Sequence, residues 1–171
     1  DRAYDAYLTE KSQKLFSGLD VMTPRENEAR TSVKMDNYTK RIQIEARVLG
    51  DLVMNHIVPV AIRYQTELIK NVKGLKELYD EKNFKELAGS RLELIRTISH
   101  HASYIKSRVH EMIEARKVAN KIEDEREKAY EYSTTILNYL DDIRYHVDKL
   151  ELIVDDEYWP LPKYRELLFI R

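Results

Sequence analysis

The chain has 171 residues, 43% hydrophobic and 35% charged, with 29 Lys+Arg set against 30 Asp+Glu for a net charge of −1. That balance excludes a global electrostatic pull toward nucleic acid or an anionic membrane, and the absence of cysteine excludes disulfides, thiolate nucleophiles and cysteine zinc sites, as fits the cytosol. With 4 Gly and 4 Pro the chain is poor in the turn residues that strand-rich folds need, no apolar run approaches the roughly 18 residues of a membrane span, and no signal peptide is visible.

In chain order, Arg2 to Phe16 reads as a short helix with a rough apolar stripe of Ala3, Tyr4, Tyr7, Leu8, Leu15 and Phe16. Ser17-Gly18 is its expected stop, with Gly18 free to turn left-handed. Thr23-Pro24-Arg25-Glu26 is a capping box with proline at the first helical position. It opens the stretch around which the chain is organised, Thr23 to Tyr79. From Tyr38 the apolar residues recur in steps of three and four, through Ile42, Ala46, Leu49, Val53, Ile57, Val60, Tyr64, Leu68, Val72 and Leu75 to Tyr79. One continuous helix here is about 80 Å long and needs partners along its length. Pro59 lies inside it and predicts a kink or break near residues 55–59.

Asp80-Glu81-Lys82-Asn83 interrupts the pattern, and Asn83 with Glu86 reads as the next N-cap. A third helix runs from Phe84 on a stripe that includes Leu87, Leu92, Ile95, Ile98, Ala102, Ile105, Val109 and Met112. A break is expected at Asn120–Glu123, because Asp124 with Glu127 is a fresh cap. The fourth helix carries Tyr132, Ile136, Ile143, Val147, Leu150 and Val154 and ends at Asp155-Asp156-Glu157. The expected fold is all-α: an elongated antiparallel bundle of three long helices plus short N- and C-terminal helices. It divides into an N-terminal helix and linker (1–22), the bundle (23–154) and a tail (155–171), one domain overall.

The tail is the strongest non-generic feature. Trp159, Leu161, Tyr164, Leu168 and Phe169 are too apolar to stand in water, so they are docking or interface candidates, on this bundle or on another part of a larger protein. Chemistry-bearing patterns are scarce. No phosphate-binding glycine loop and no Ser/His/Asp arrangement can be assigned. None of the five histidines, His56, His100, His101, His110 and His146, has an acid three residues before it, as a helical di-metal site requires. His110–Glu114 and His146–Asp142 are four apart and read as surface pairs. His56, beside the long stripe, reads as a hydrogen-bonded core or interface residue. Lys34, Lys40, Arg41 and Arg47 are interleaved with Asp36, Glu45 and Asp51, which makes a solvated mixed-charge face. No catalytic, cofactor-binding or metal-binding residue is assigned.

Several blocks of this sequence carry a resemblance. K-R-I-Q-I-E-A-R (Lys40–Arg47), H-I-V-P-V-A-I-R-Y-Q (His56–Gln65), A-Y-L-T-E-K (Ala6–Lys11), E-A-R-K-V-A-N-K-I-E-D (Glu114–Asp124) and above all the stretch from Arg144 to Phe169 resemble the C-terminal region of the type III glutamine synthetases. The resemblance covers nearly the whole chain and departs at Thr31, where the family pattern has an aromatic residue. It implies a parent ligase of nitrogen metabolism that joins ammonia to glutamate with ATP and magnesium or manganese, in the cytoplasm, as a homo-oligomer of stacked hexameric rings. The parent's metal, nucleotide and phosphate contacts would lie upstream of Asp1, so the resemblance carries no catalytic residue onto this chain. The implied role is a non-catalytic helical domain serving architecture and subunit contacts, partnered by the catalytic domain of the same polypeptide and by neither nucleic acid nor membrane. A chain that opens on Asp1 fits an excised or processed piece. The residues alone also allow a free-standing helical protein–protein interaction module, and they disfavour a helical metalloenzyme.

Overall fold

The computed structural model describes residues 2–168. Among these it is all helix and turn, without strands. Two short helices, α1 (Arg2–Asp5) and α2 (Glu10–Gly18), are separated by a single 3-10 turn at Ala6–Leu8. The expected single helix over Arg2–Phe16 is therefore broken at Thr9. Its side chain caps α2 by accepting from the Ser12 N–H at 3.4 Å, and its hydroxyl donates to Ala6 O at 3.0 Å. A hydroxyl that bonds nearby backbone favours a cap over helix continuation. The left-handed residue after α2 is Asp20, at φ 54°, and not Gly18.

The Thr23 box forms as the sequence requires. The Thr23 N–H donates to Glu26 Oε2 at 2.7 Å, and the Glu26 N–H donates back to Thr23 Oγ1 at 3.3 Å. From there α3 (Pro24–Leu52), a π-helical turn (Val53–Ile57) and α4 (Val58–Leu78) follow without interruption as 55 helical residues. The Pro59 site does not break the helix. The turn before it widens, and the Val58 N–H reaches back five residues to Val53 O. An α-helical pattern would have left Asn55 O waiting for an N–H that proline lacks, and such bulges are a known way to absorb the defect.

Helix α5 (Glu81–Ala119) begins three residues earlier than expected. Its cap is Asp80, whose Oδ1 accepts from the Asn83 N–H at 3.4 Å and from Asn83 Nδ2 at 2.5 Å. The carboxylate suits the positive end of the helix dipole better than the amide does. After the turn at 120–124, Asp124 caps α6 (Glu125–Glu131) by accepting from the Glu127 N–H at 2.8 Å. A second π turn (Tyr132–Ile136) leads into α7 (Leu137–Ile153), and α8 (Tyr164–Leu168) closes the described chain.

The chain forms two compact units. One joins Asp1–Val48 to His110–Asp141, the other Leu49–Val109 to Asp142–Arg171. In the first, Met35, Ile42, Ala46, Met112, Ala119, Ala129, Tyr132 and Ile136 are buried. The start of α3 buries a polar face, Asn27, Thr31 and Thr39, where α1 and the 3-10 turn lie beside it. Asn27 Nδ2 donates to Tyr7 O at 2.6 Å, Tyr4 meets Tyr38 edge-on at 6.1 Å, and Thr31 donates to Asn27 O within α3. Tyr132 is fully buried and its hydroxyl donates to Asn120 Oδ1 at 2.7 Å, which ties the second π turn to the end of α5.

In the second unit the two-residue link Tyr79-Asp80 turns α5 back along α4, and Gln65 Nε2 donates to Ile95 O at 2.8 Å and to Ser99 Oγ at 2.5 Å. Val53, Ile57, Ala61, Ile98, Ile105, Ile143 and Leu150 form its core, each nearly or wholly buried. His56 is exposed, because the π turn points Val53 and Ile57 inward and leaves the residue before Ile57 outside. Of the two placements expected for His56, core or interface, the exposed position corrects the core one.

Candidate functional site

The tail residues are placed unevenly. Trp159 is 9% exposed and Leu161 half-buried, whereas Leu168 is 73% exposed. The Tyr164 side chain and Phe169 lie outside the described residues. Lys163 ties the tail to the end of α7: its ammonium sits 5.8 Å from the Trp159 ring centroid and bonds Glu151 O at 3.0 Å and the Asp156 carboxylate. Tyr158 meets Tyr64 of α4 at 5.9 Å between ring centroids.

The densest chemistry in the second unit lies elsewhere, on facing margins of α5 and α7. On α5, His101, Tyr104 and Arg108 follow at three and four residues, with His100 beside them. On α7, Asp142 and His146 are four apart and share a face. Buried Ile98, Ala102 and Ile105 on one helix, and Ile143, Val147 and Leu150 on the other, set the rotation that brings these polar residues together at the edge of the core. Tyr104 OH donates to Asp142 Oδ2 at 2.9 Å, and Arg108 Nε donates to the same oxygen at 2.7 Å. Both partners of that ion pair are about one-third exposed.

The Tyr104 ring stacks on His146 at 4.0 Å and 19°, which fixes the plane of the imidazole. His101 Nδ1 and His146 Nδ1 lie 2.8 Å apart, one donating and the other accepting. His100 is exposed and completes a set of three imidazoles whose ligand atoms all lie within 4.8 Å of one another. Burial first, then neighbouring His146, His100 and Lys149, holds His101 below its usual value of 6.5. His146 is also held down, by burial first, with Asp142 opposing and His100 and Arg108 assisting. Both rings are therefore neutral at pH 7, available as donors of a lone pair.

The expected pairing of His146 with Asp142 is replaced by this network, in which Tyr104 and Arg108 take the carboxylate. Glu114, offered as a partner for His110, is ion-paired to Lys117 at 2.7 Å. The mixed-charge face is present as Lys40–Asp36 and Arg41–Glu45 pairs at 2.6 and 3.1 Å. The histidine cluster had one legible signal: His101 and His146 stand at nearly equal distances along the sequence from the break at 120–124, so antiparallel helices bring them opposite. In the first unit a separate cleft of about 500 Å³ is lined by Tyr4, Asp5, Met35, Ile122, Arg126 and Tyr130 among others.

Among known proteins, a family model described as the glutamine synthetase C-terminal domain matches residues 1–76. A glutamine synthetase of Bacteroides fragilis (strain YCH46) is 47% identical over 165 residues, 96% of this chain and 23% of the relative. The type-3 glutamine synthetase of Dictyostelium discoideum is 32% identical over 171 residues, 95% of this chain and 22% of its own. A glutamine synthetase of Butyrivibrio fibrisolvens is 23% identical over 163 residues, covering 95% and 23%. The chain thus spans less than a quarter of the length of the curated relatives it matches. With its all-helical structure and a match that runs nearly end to end, the chain belongs with the C-terminal helical regions of the glutamine synthetases, a type-3 enzyme among its relatives.

Proposed function

We propose that the chain serves as a non-catalytic helical domain of a type III glutamine synthetase, contributing architecture and subunit contacts to a cytoplasmic enzyme that ligates ammonia to glutamate with ATP and magnesium or manganese. The observation that carries the reading is the coverage: relatives match over 95–96% of this chain, yet it accounts for only 22–23% of their length. The catalytic machinery of such a parent belongs to the remaining three-quarters. Surface composition supports the contact role. Ile44 and Val48, four apart on α3 of the first unit, are 60% and 51% exposed, and in the second unit Leu152 is 80% exposed. Apolar side chains this open, spaced to share a helix face, suit burial against another subunit or domain.

The test has three parts. The isolated chain should form no glutamine from glutamate, ammonia and ATP, and formation above background would overturn the non-catalytic role. In the longer protein, Ile44→Lys with Val48→Lys, and separately Leu152→Lys, should shift native mass spectrometry toward smaller assemblies. An unchanged distribution for both variants would overturn the contact role. The reading frame upstream of Asp1 should encode a catalytic region, and its absence would favour a free-standing interaction module.

A further inference from the structure

We propose that His100, His101 and His146 form a three-imidazole binding site for a divalent transition ion of borderline softness, zinc foremost, clasping α5 to α7 within the second unit. The donors are all nitrogen. Imidazole suits zinc, copper and nickel, whereas magnesium and calcium demand oxygen. Zinc–nitrogen bonds of about 2.0–2.1 Å in a tetrahedron place ligand nitrogens about 3.3 Å apart. The His101–His146 separation of 2.8 Å must open by about half an ångström, and no pair exceeds 4.8 Å. The exposed His100 has the freedom to close the remaining gap and leaves the fourth position facing water.

The surroundings favour loading. The single proton between the two Nδ1 atoms moves through water to the donor ring's Nε2, so the ion meets two neutral rings and no net proton is gained or lost. Tyr104 stacked on His146 holds one donor in plane, and Asp142 and Arg108 hold Tyr104. Supports of this kind orient metal ligands. Two cations stand near. Arg108 is neutralised by Asp142, and the Lys149 ammonium lies 5.1 Å from the Tyr145 ring centroid.

A plain histidine pair uses only His101 and His146. A metal site also uses His100, which no core contact requires. Isothermal titration of the 171-residue chain with Zn²⁺, with Co²⁺ absorption to read the ligand set, separates the two. One equivalent should bind, with a tetrahedral cobalt spectrum, while Mg²⁺ at millimolar concentration gives no signal. His100→Ala, His101→Ala and His146→Ala should each weaken Zn²⁺ binding at least tenfold, and His56→Ala should leave it unchanged. Saturating Zn²⁺ should raise the thermal midpoint of the wild-type chain and not that of His146→Ala. Absence of binding to a wild-type chain that is helical by circular dichroism would overturn the site. So would full-strength binding by His101→Ala or His146→Ala. Should either core-edge variant lose its helicity, His100→Ala, at an exposed position, decides alone: undiminished affinity there refutes the three-histidine site.

Discussion

At the scale of single residues, hydrogen-bond satisfaction decides most outcomes. Thr23 and Glu26 close two orphan donors of α3 reciprocally. Thr23→Ala should cost about 0.5–2 kcal/mol in urea unfolding. Glu26 is held below its usual carboxylate value by its bonds from the Thr23 backbone and hydroxyl. A depressed carboxylate contributes stability above its unfolded value that is lost as pH falls through the folded one, so the cap should weaken under acid. Thr39 is the opposite case. It is 7% exposed and its hydroxyl finds no partner. Thr39→Val should raise stability by about 1 kcal/mol, and a lowered unfolding midpoint would show that the hydroxyl is satisfied in solution. The histidines give a third expectation. His101 and His146 sit below 6.5 in the folded chain, facing His100, Tyr104, Arg108, Asp142, Tyr145 and Lys149. Protonation therefore favours the unfolded chain. In metal-free buffer their contribution should be complete above about pH 6.5 and decline as pH falls below it. His146→Gln should flatten that slope between pH 7.5 and 5, measured by chemical denaturation at each pH.

At the scale of elements, the two π turns have the same outcome by different routes. The one at Val53–Ile57 answers a missing donor at Pro59, while the one at Tyr132–Ile136 has no proline and keeps Tyr132 and Ile136 fully buried. Each ends with an N–H reaching five residues back, from Val58 to Val53 and from Leu137 to Tyr132. Ile57 is 1% exposed at the inner face of its turn, whereas Ile44, on α3, is 60% exposed. Ile57→Ala should cost about 2–5 kcal/mol and Ile44→Ala less than about 0.5 kcal/mol, read from paired urea curves. Equal costs would mean that Ile44 is covered in the isolated chain. The helix starts follow one rule: Thr9, Thr23, Asp80 and Asp124 each offer a short side-chain oxygen to an N–H three residues on.

At the scale of the molecule, the helices supply a scaffold whose core is apolar and whose special chemistry lies at its margins. No helix of the described residues is long and apolar enough to cross a membrane. Far-UV circular dichroism should show helix with essentially no strand, and a substantial sheet contribution would contradict the fold. The exposed apolar residues are distributed over both units, which fits a domain whose remaining surface is covered in a larger assembly and motivates the charge substitutions described above.

The sequence by itself determined the helical class, the long periodic stretch from Tyr38 to Leu75, the Thr23 and Asp124 caps and the break near 120, because each rests on spacing or on a bond spanning three residues. It also carried the family, through contiguous blocks such as Arg144–Phe169. Tertiary structure alone decided the rest. Thr9 broke the first helix and Asp80 displaced Asn83 because competing local bonds differ by about a kcal/mol or less, beyond what a pattern resolves. Pro59 could have kinked, broken or widened its helix, and only the folded chain shows the turn before it widened, with the Val58 N–H bonded to Val53 O. His56 lies on the exposed side of that turn. The three imidazoles meet across 45 residues only once α5 and α7 take a fixed rotation and register, a property of packed cores that no local spacing encodes.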